Sequence, residues 1–397
     1  ERIPNAEEAV KRLGSKFGAE PKFDGFRCLG GITPIYTKDK GLVSVKDVKV
    51  GDFVLTHKGQ FKKVVANNAR TIDKGERLFH IYSYFGQRIK ISGDHRVLIR
   101  RNGKTSWMPV EQIRKRDEFV FPVPELIKSR PLPKKLALQS ISGYKKVFTF
   151  NKNFFRFMGF WIGDGYTNNY HNTERIGLAF NAATERPLAE FYKDLIRNEF
   201  HISQISNHTH QGAIDIYWRD GPFRHWLSKN FRREWRGKML PSWFIGISKD
   251  QFQQFLRGWI ESDGTPRHSG GFRITTKERD LAMFTQILAL SFKIMIGVKR
   301  FQVKRKTYYE LNIPGTEHFV RTDNSNFYIS IQKIEEIKRP DSRQRLYNLQ
   351  VEDNESYCTP MIALHNCQIH KNEDNVEIFS RNLENMTHSF PDIIEAA

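Results

Sequence analysis

Between residues 28 and 117, apolar and polar positions alternate in short runs such as GITPIYT, VKVGDFVLTHKGQFKKV, RLFHIYSYF and RIKISGDHRVLIR. A period of two puts successive side chains on opposite faces of a pleated chain, so these runs predict half-buried antiparallel strands. The alternation stops near residue 118. There FPVPELIKSRPLPKKLALQS clusters Pro with Lys and predicts an irregular linker and a domain boundary within 118–150. Beyond it the apolar spacing lengthens to three and four positions in RPLAEFYKDLIRNEF and RDLAMFTQILALSF, which read as amphipathic helices among strands. After about residue 320 the two-residue period returns in NFYISIQKIEEIKR and RLYNLQVEDNESYCTPMIALHN. The pattern is an all-β segment, a mixed α/β segment and a resumed all-β segment. Ahead of it, residues 1–27 predict a short helix followed by a strand and turn.

The middle segment contains a repeat. FMGFWIGDGYT at 157–167 aligns with LRGWIESDGTP at 256–266, matching Gly159 with Gly258, Asp164 with Asp263 and Gly165 with Gly264. Small residues at matched positions, Gly159 and Gly163 against Gly258 and Ser262, allow two helices to approach backbone to backbone. Each helix then ends in Asp-Gly, which sets Asp164 beside Asp263 at the foot of the pair. Two adjacent carboxylates repel unless a cation lies between them. Oxygen ligands of this kind suit Mg²⁺, which can activate water and stabilise the leaving oxygen of a phosphodiester. A single Asp-Gly is an ordinary helix end; two in matching phrases about 100 residues apart are not.

These motifs resemble those of two-motif LAGLIDADG homing endonucleases, over about residues 150–315. The resemblance implies double-stranded DNA as substrate. It assigns metal-binding catalytic roles to Asp164 and Asp263, an active-site lysine to Lys238 in RGKMLPSWF, and a weaker second lysine to Lys277 in ITTKERDL. Between the repeats, FRHWLSKNFRREWRGKMLPSWF interleaves basic and aromatic residues and reads as a phosphate-contacting stretch. ERIGLAFNAA and FRITTKE would present sheet residues to the major groove.

The flanking β segments carry a different chemistry. Cysteine occurs three times, at Cys28, Cys358 and Cys367, too few and too scattered for a disulfide framework or a C-x-x-C metal pair. Cys367 follows His365 and Asn366. Deleting 28–366 joins EPKFDGFR to CQIHKNEDNVEIFSRNLENMT, and the joined phrase resembles the adenylation site of ATP-dependent DNA ligases, of archaeal type. Its K-x-D-G-x-R falls at Lys22, Asp24, Gly25 and Arg27, so Lys22 is implied as the lysine that takes the nucleotide in an intact host. An insert bounded by Cys and Asn-Cys has the layout of an intein. VKVGDFVLTHKGQFKKV and SGDHRVLI are similar to intein blocks, the latter with Ser92 in place of the usual Thr before His95.

That resemblance implies an α+β multidomain chain: an all-β, horseshoe-like splicing domain at 28–140 and 320–366, interrupted by a pseudo-symmetric α/β endonuclease domain at 150–315. Residues 1–27 and 367–397 would be the flanking ligase segments. It assigns Cys28 and Cys367 as nucleophiles, Ser92 and His95 to activation of the first peptide bond, and His365 to assisting cyclisation of Asn366. The chain departs from the pattern at Asn348, where Asp is usual, and at Glu355, where His is frequent. Cys358 reads as a small core residue. Splicing itself calls for no cofactor.

Composition agrees with a nucleic-acid partner. The 397 residues carry a formal charge of +20, and 39% are hydrophobic, enough for more than one core. No apolar run approaches membrane-spanning length, so the expectation is a soluble, cytoplasmic monomer with no membrane partner. The rival readings are a splicing element with a DNA-binding relic, a stand-alone endonuclease, and a nucleotidyltransferase. The paired aspartates weigh against the first, the Cys28 and His365-Asn366-Cys367 set against the second, and the shortness of the ligase segments against the third.

Overall fold

The computed structural model describes residues 28–365, except 73–74, 85–87, 127–131, 140–144, 171–172, 234–235, 269, 316–319 and 342, together with 369–372 and 375–378. Lys22, Asn366, Cys367 and the helix expected in 1–27 lie outside the described residues. The chain divides into two compact units, Cys28–Cys367 and the pair Glu1–Arg27 with Gln368–Ala397. In the second unit, Ile369–Asn372 and Asn375–Ile378 form an antiparallel hairpin.

In the first unit, the alternating runs before residue 123 and after residue 319 fold into one antiparallel sheet system. The two runs interlock. Leu29–Gly30 lies between Ile89–Ser92 and Arg345–Val351, and Phe61–Thr71 pairs along Arg345–Val351. Glu118–Pro122 pairs residue for residue with Asn326–Glu336, from Glu118↔Ser330 to Pro122↔Asn326. The chain therefore leaves this sheet and re-enters it on adjacent strands. Ile35, Val54, Ile81, Ile91, Val97, Phe119, Leu349 and Leu364 fill its interior.

The linker expected at 118–150 is more regular than its composition. Glu118–Pro122 is a sheet strand, and Lys135–Gln139 pairs with Lys145–Thr149 as a hairpin. Tertiary contact overrides local propensity here. The Phe148 ring packs against Phe200 and Phe223, and the Lys146 ammonium pairs with buried Asp220.

Among the described residues, five α-helices and two four-stranded sheets lie between these strands. Helices α1 (Lys152–Asp164), α2 (Arg186–Phe200), α3 (Gly221–Phe231), α4 (Lys249–Asp263) and α5 (Arg279–Ser291) all come from the part with the longer apolar period. α1 and α4 each lead directly into a strand pair, a helix and a second strand pair. Both sheets have the same order, first–second–fourth–third: Gly165–Tyr170, Thr173–Asn181, Ala213–Trp218, Ser206–His210 in one, and Gly264–Pro266, Gly271–Thr276, Lys306–Pro314, Gly297–Val303 in the other. The repeat in the sequence is thus a repeat in the fold. The starts of α1 and α4 are fixed by side chains: Asn151 Oδ1 accepts from the Phe154 N–H, and Ser248 with Gln251 forms a reciprocal capping box.

The two matched helices pack backbone to backbone. A Cβ placed on Gly159 would stand 1.9 Å from the Phe255 carbonyl oxygen, and one on Gly258 would stand 1.9 Å from that of Arg156. Across the same seam, Arg156 makes a two-pronged ion pair with Glu261, which also accepts from the Tyr192 hydroxyl. The helical part docks on the large sheet through α5. The Tyr36 hydroxyl donates to Gln286 Oε1 at 2.8 Å in a buried bond, and the Gln286 amide donates to the Ile296 carbonyl.

Because the atoms opposing Gly258 are backbone, Gly258→Ala cannot be absorbed by a rotamer change. It is expected to destabilise the fold by about 3 kcal/mol or more, at the upper end for overpacking. Urea unfolding reads this directly, and an unchanged midpoint would contradict the close approach.

Candidate functional site

Cys28 is buried at the head of the Leu29–Gly30 strand. Its backbone N–H belongs to the nitrogen that joins it to Arg27, and it donates to Ser92 Oγ at 3.1 Å. The Ser92 N–H returns a bond to the Cys28 carbonyl at 3.0 Å, so the residue is held from both sides. Ser92 ends its strand, and the chain turns tightly, with the His95 N–H donating to the Ser92 carbonyl at 3.2 Å. That turn is the physical content of the S-x-x-H spacing. It keeps two fully buried polar side chains within one turn of chain, the first of them bonded to the Cys28 N–H.

The far end of the splicing segment comes to the same place. Ile362–His365 runs alongside Arg96–Arg101, with Leu364 opposite Val97, two residues after His95. The Trp107 ring meets His365 edge-on at 4.8 Å and His57 at 5.3 Å. His57 Nδ1 lies 2.6 Å from Ser356 Oγ, and Ser356 is the cross-strand partner of His365. Burial and the Lys58 ammonium lower the His57 pKa, which favours the neutral ring. The Tyr357 ring stands edge-on to His95, and its hydroxyl donates to Asn348 Oδ1 at 3.0 Å. Asn348 is thus a buried acceptor at this junction, while its Nδ2 has no hydrogen-bond partner among the described residues. Cys358 is fully buried, and burial raises its thiol pKa well above the ordinary value. Sequence reading missed His57, Trp107 and Tyr357, because only cross-strand pairing brings them to the junction.

The second constellation lies at the foot of α1 and α4. Asp164 and Asp263 are the last residues of their helices, and each is followed by a glycine that turns the chain into a strand. These glycines have ordinary extended backbones; what they provide is room. A Cβ on Gly165 would stand 2.3 Å from the Trp161 ring, and one on Gly264 2.3 Å from the Ile260 carbonyl oxygen. Burial first and the Asp263 charge second push the Asp164 carboxyl up to about 6. Burial also raises Asp263, against an opposing hydrogen bond from Trp259 Nε1 at 3.1 Å. Lys238, within the basic stretch, reaches the end of α1, donating to the Trp161 and Gly163 carbonyl oxygens at 2.8 and 2.7 Å. Burial brings its ammonium down to about 8 against the pull of both aspartates.

The structure therefore brings Asp164, Asp263 and Lys238 together. Lys277 is placed differently, over the Tyr308 ring at 5.9 Å, and is not among the charges acting on either carboxylate. Glu185, whose charge also raises Asp164, and Trp259 had gone unnoticed. The i,i+4 spacing of Trp259 and Asp263 was a signal available for the latter. Two half-buried carboxylates of raised proton affinity, one of them raised by the charge of the other, offer oxygen donors only and fit a hard divalent cation.

The strand that follows Cys28 and the strand that ends at His365 both border the turn from Ser92 to His95. A family model of the intein splicing domain matches residues 43–366, and the chain belongs to that family. Among curated proteins it is 24% identical to the ATP-dependent DNA helicase Hel308 of Thermococcus kodakarensis, over 85% of this chain and 36% of that one. A probable DNA ligase of Dictyoglomus turgidum is 73% identical over 30 residues, 8% of this chain and 5% of that one. The chain spans about a third to a half of the length of the first curated relatives it matches. Among solved structures, I-DmoI in complex with its target DNA is similar at 14% identity and a TM-score of 0.33, over 41% of this chain and 89% of that one.

A proton on Asp164 competes with a cation for the same oxygens. With the carboxyl at about 6, apparent affinity for a divalent ion is expected to fall by up to about tenfold per pH unit below that point. Calorimetric titration with Mg²⁺ across the range checks this. A flat affinity would remove the carboxylate from the binding site.

Proposed function

We propose that residues 28–366 excise themselves and join residues 1–27 to 367–397, restoring a DNA ligase sequence in which Lys22 is the adenylated lysine. The observation that carries this reading is the hydrogen bond from the Cys28 N–H to Ser92 Oγ, at the peptide bond to be broken. The Cys28 sulfur attacks the Arg27 carbonyl carbon, forming a C–S bond as the C–N bond breaks. The departing nitrogen takes a proton, supplied by His95, while Ser92 holds it in line. The Cys367 sulfur then displaces the Cys28 sulfur from the acyl group. The Asn366 side-chain nitrogen attacks its own backbone carbonyl, polarised by His365, which closes a succinimide and frees the Cys367 amine. That amine takes the acyl group from sulfur, leaving an ordinary Arg27–Cys367 peptide bond. On this reading the splicing domain occupies 28–140 and 320–366, and 150–315 is a guest within it.

The guest cuts double-stranded DNA at a specific site. Its support is the foot of the helix pair, where Asp164 and Asp263 are held together with Lys238 beside them. Bound Mg²⁺ would supply charge neutralisation and a nucleophilic water. Asp164 and Asp263 would hold that ion, and Lys238, with its lowered pKa, can exchange a proton with water or with the leaving oxygen. The two sheets, equivalent by the repeat, lie along the duplex. We place action in the cytoplasm and as a monomer; among the described residues no helix is long and apolar enough to cross a membrane.

Intact mass under reducing conditions tests splicing. The expected product is a ligated species of 1–27 joined to 367–397, and Cys28→Ala should abolish it while leaving C-terminal cleavage. Persistence of the unspliced mass in the unsubstituted protein would overturn the proposal. DNA cleavage is read separately, on a plasmid carrying the uninterrupted host sequence. Asp164→Asn should lower cleavage by at least about a hundredfold with binding retained. Binding without cleavage in the unsubstituted protein would leave a DNA-binding relic.

A further inference from the structure

The edge strand of the first helical half carries a cluster that neither splicing nor DNA cleavage uses. His208 and His210 are two apart on Ser206–His210, and so lie on one face of the sheet. In register, His208 pairs with Asp215 of Ala213–Trp218. Along that strand Ile214, Ile216 and Trp218 are buried beneath the sheet, which leaves Asp215 on the opposite, solvent-facing side. The connection is a two-residue hairpin, Gln211-Gly212, with φ of 40° and 83°. Two positive φ values are those of a type I′ turn, which fixes the register of both strands. The three side chains are thus set on a rigid support within eight residues of chain.

Their geometry is that of a metal site. The two Nδ1 atoms are 3.2 Å apart, and His210 Nδ1 is 3.6 Å from an Asp215 carboxylate oxygen. All three ligand atoms lie within 4.8 Å of one another. At Zn–N bonds of about 2.0–2.1 Å, two tetrahedral ligands stand about 3.3 Å apart. Two imidazoles and one carboxylate make a nitrogen-rich set, which selects a first-row transition metal over the Mg²⁺ suited to the aspartate pair. Three protein ligands leave a fourth position open to solvent.

We propose that His208, His210 and Asp215 bind one Zn²⁺-class ion on the outer face of this sheet. The ion ties the edge strand to its neighbour across the hairpin. It also replaces the negative charge of Asp215 with a net positive one and leaves a coordination position for water or a phosphate oxygen. That last consequence rests on the sheet facing DNA, as proposed above; the binding itself does not.

The test is made without DNA. The full chain, freed of metal, is titrated with Zn²⁺, and bound metal is counted by equilibrium dialysis. Co²⁺ is added in parallel for its absorption spectrum. One equivalent of Zn²⁺ is expected, together with Co²⁺ d–d bands of tetrahedral intensity. The double substitution His208→Gln with His210→Gln should abolish both signals, and Asp215→Asn should weaken Zn²⁺ binding at least about tenfold. All three side chains sit on a solvent-facing surface, so thermal unfolding of the metal-free variants should match that of the unsubstituted protein. Failure to bind one equivalent, or binding that survives the double substitution, would overturn the site. Neither outcome depends on whether the helix pair cuts DNA.

Discussion

The fold depends on one constraint: two strands more than three hundred residues apart in the chain must border the same turn, from Ser92 to His95. Pairing of Leu29–Gly30 between Ile89–Ser92 and Arg345–Val351 meets that requirement at the first junction. Leu364 opposite Val97 meets it at the other. With these strands placed, the Cys28 amide is bonded to Ser92, and the strand that ends at His365 pairs with Arg96–Arg101, which directly follows His95. Strand pairing likewise accommodates the long helical part between the two runs. Glu118–Pro122 and Asn326–Glu336 are antiparallel neighbours, so the guest leaves and returns at one place in the sheet. For a flexible loop, each doubling of length adds only about 0.6 kcal/mol to the cost of closure. A guest that folds with its own termini adjacent to each other adds less still.

The carboxylate site rests on a comparable restriction. Gly159 and Gly258 permit contact between α1 and α4 that no side chain would allow, and that contact sets the separation of Asp164 and Asp263. The raised proton affinity of Asp164 is a product of this forced proximity as well as of burial. Lys238 balances the charge without removing the demand for a cation, since burial weakens its own ammonium.

Most of the architecture was legible in the sequence because periodicity is a local record of burial. The alternating runs became strands, the longer-period runs became helices, and the repeated phrase became a repeated sheet order. The small residues of the repeat also met as their spacing implied, at Gly159 and Gly258. What could not be read was set by contacts distant in sequence. The hairpin in the Pro- and Lys-rich stretch exists because Phe148 has a core to enter. Lys238 and Lys277 each stand in a basic context, yet only the fold distinguishes the one beside the aspartates from the one over Tyr308. His57 and Trp107 reach His365 through cross-strand pairing that no short motif encodes.

The buried bond from Tyr36 to Gln286 has a historical consequence. A phenol hydroxyl inside the protein needs an acceptor, and here the guest supplies it to the host. Loss of α5 would leave water as the acceptor but would uncover the apolar contact made by buried Met283 over Gly41, so the sheet depends on the helix that covers it. Degeneration of the helical part then meets resistance from its packing on the sheet, whatever activity that part carries. A guest that had outlived its use would be retained as scaffold.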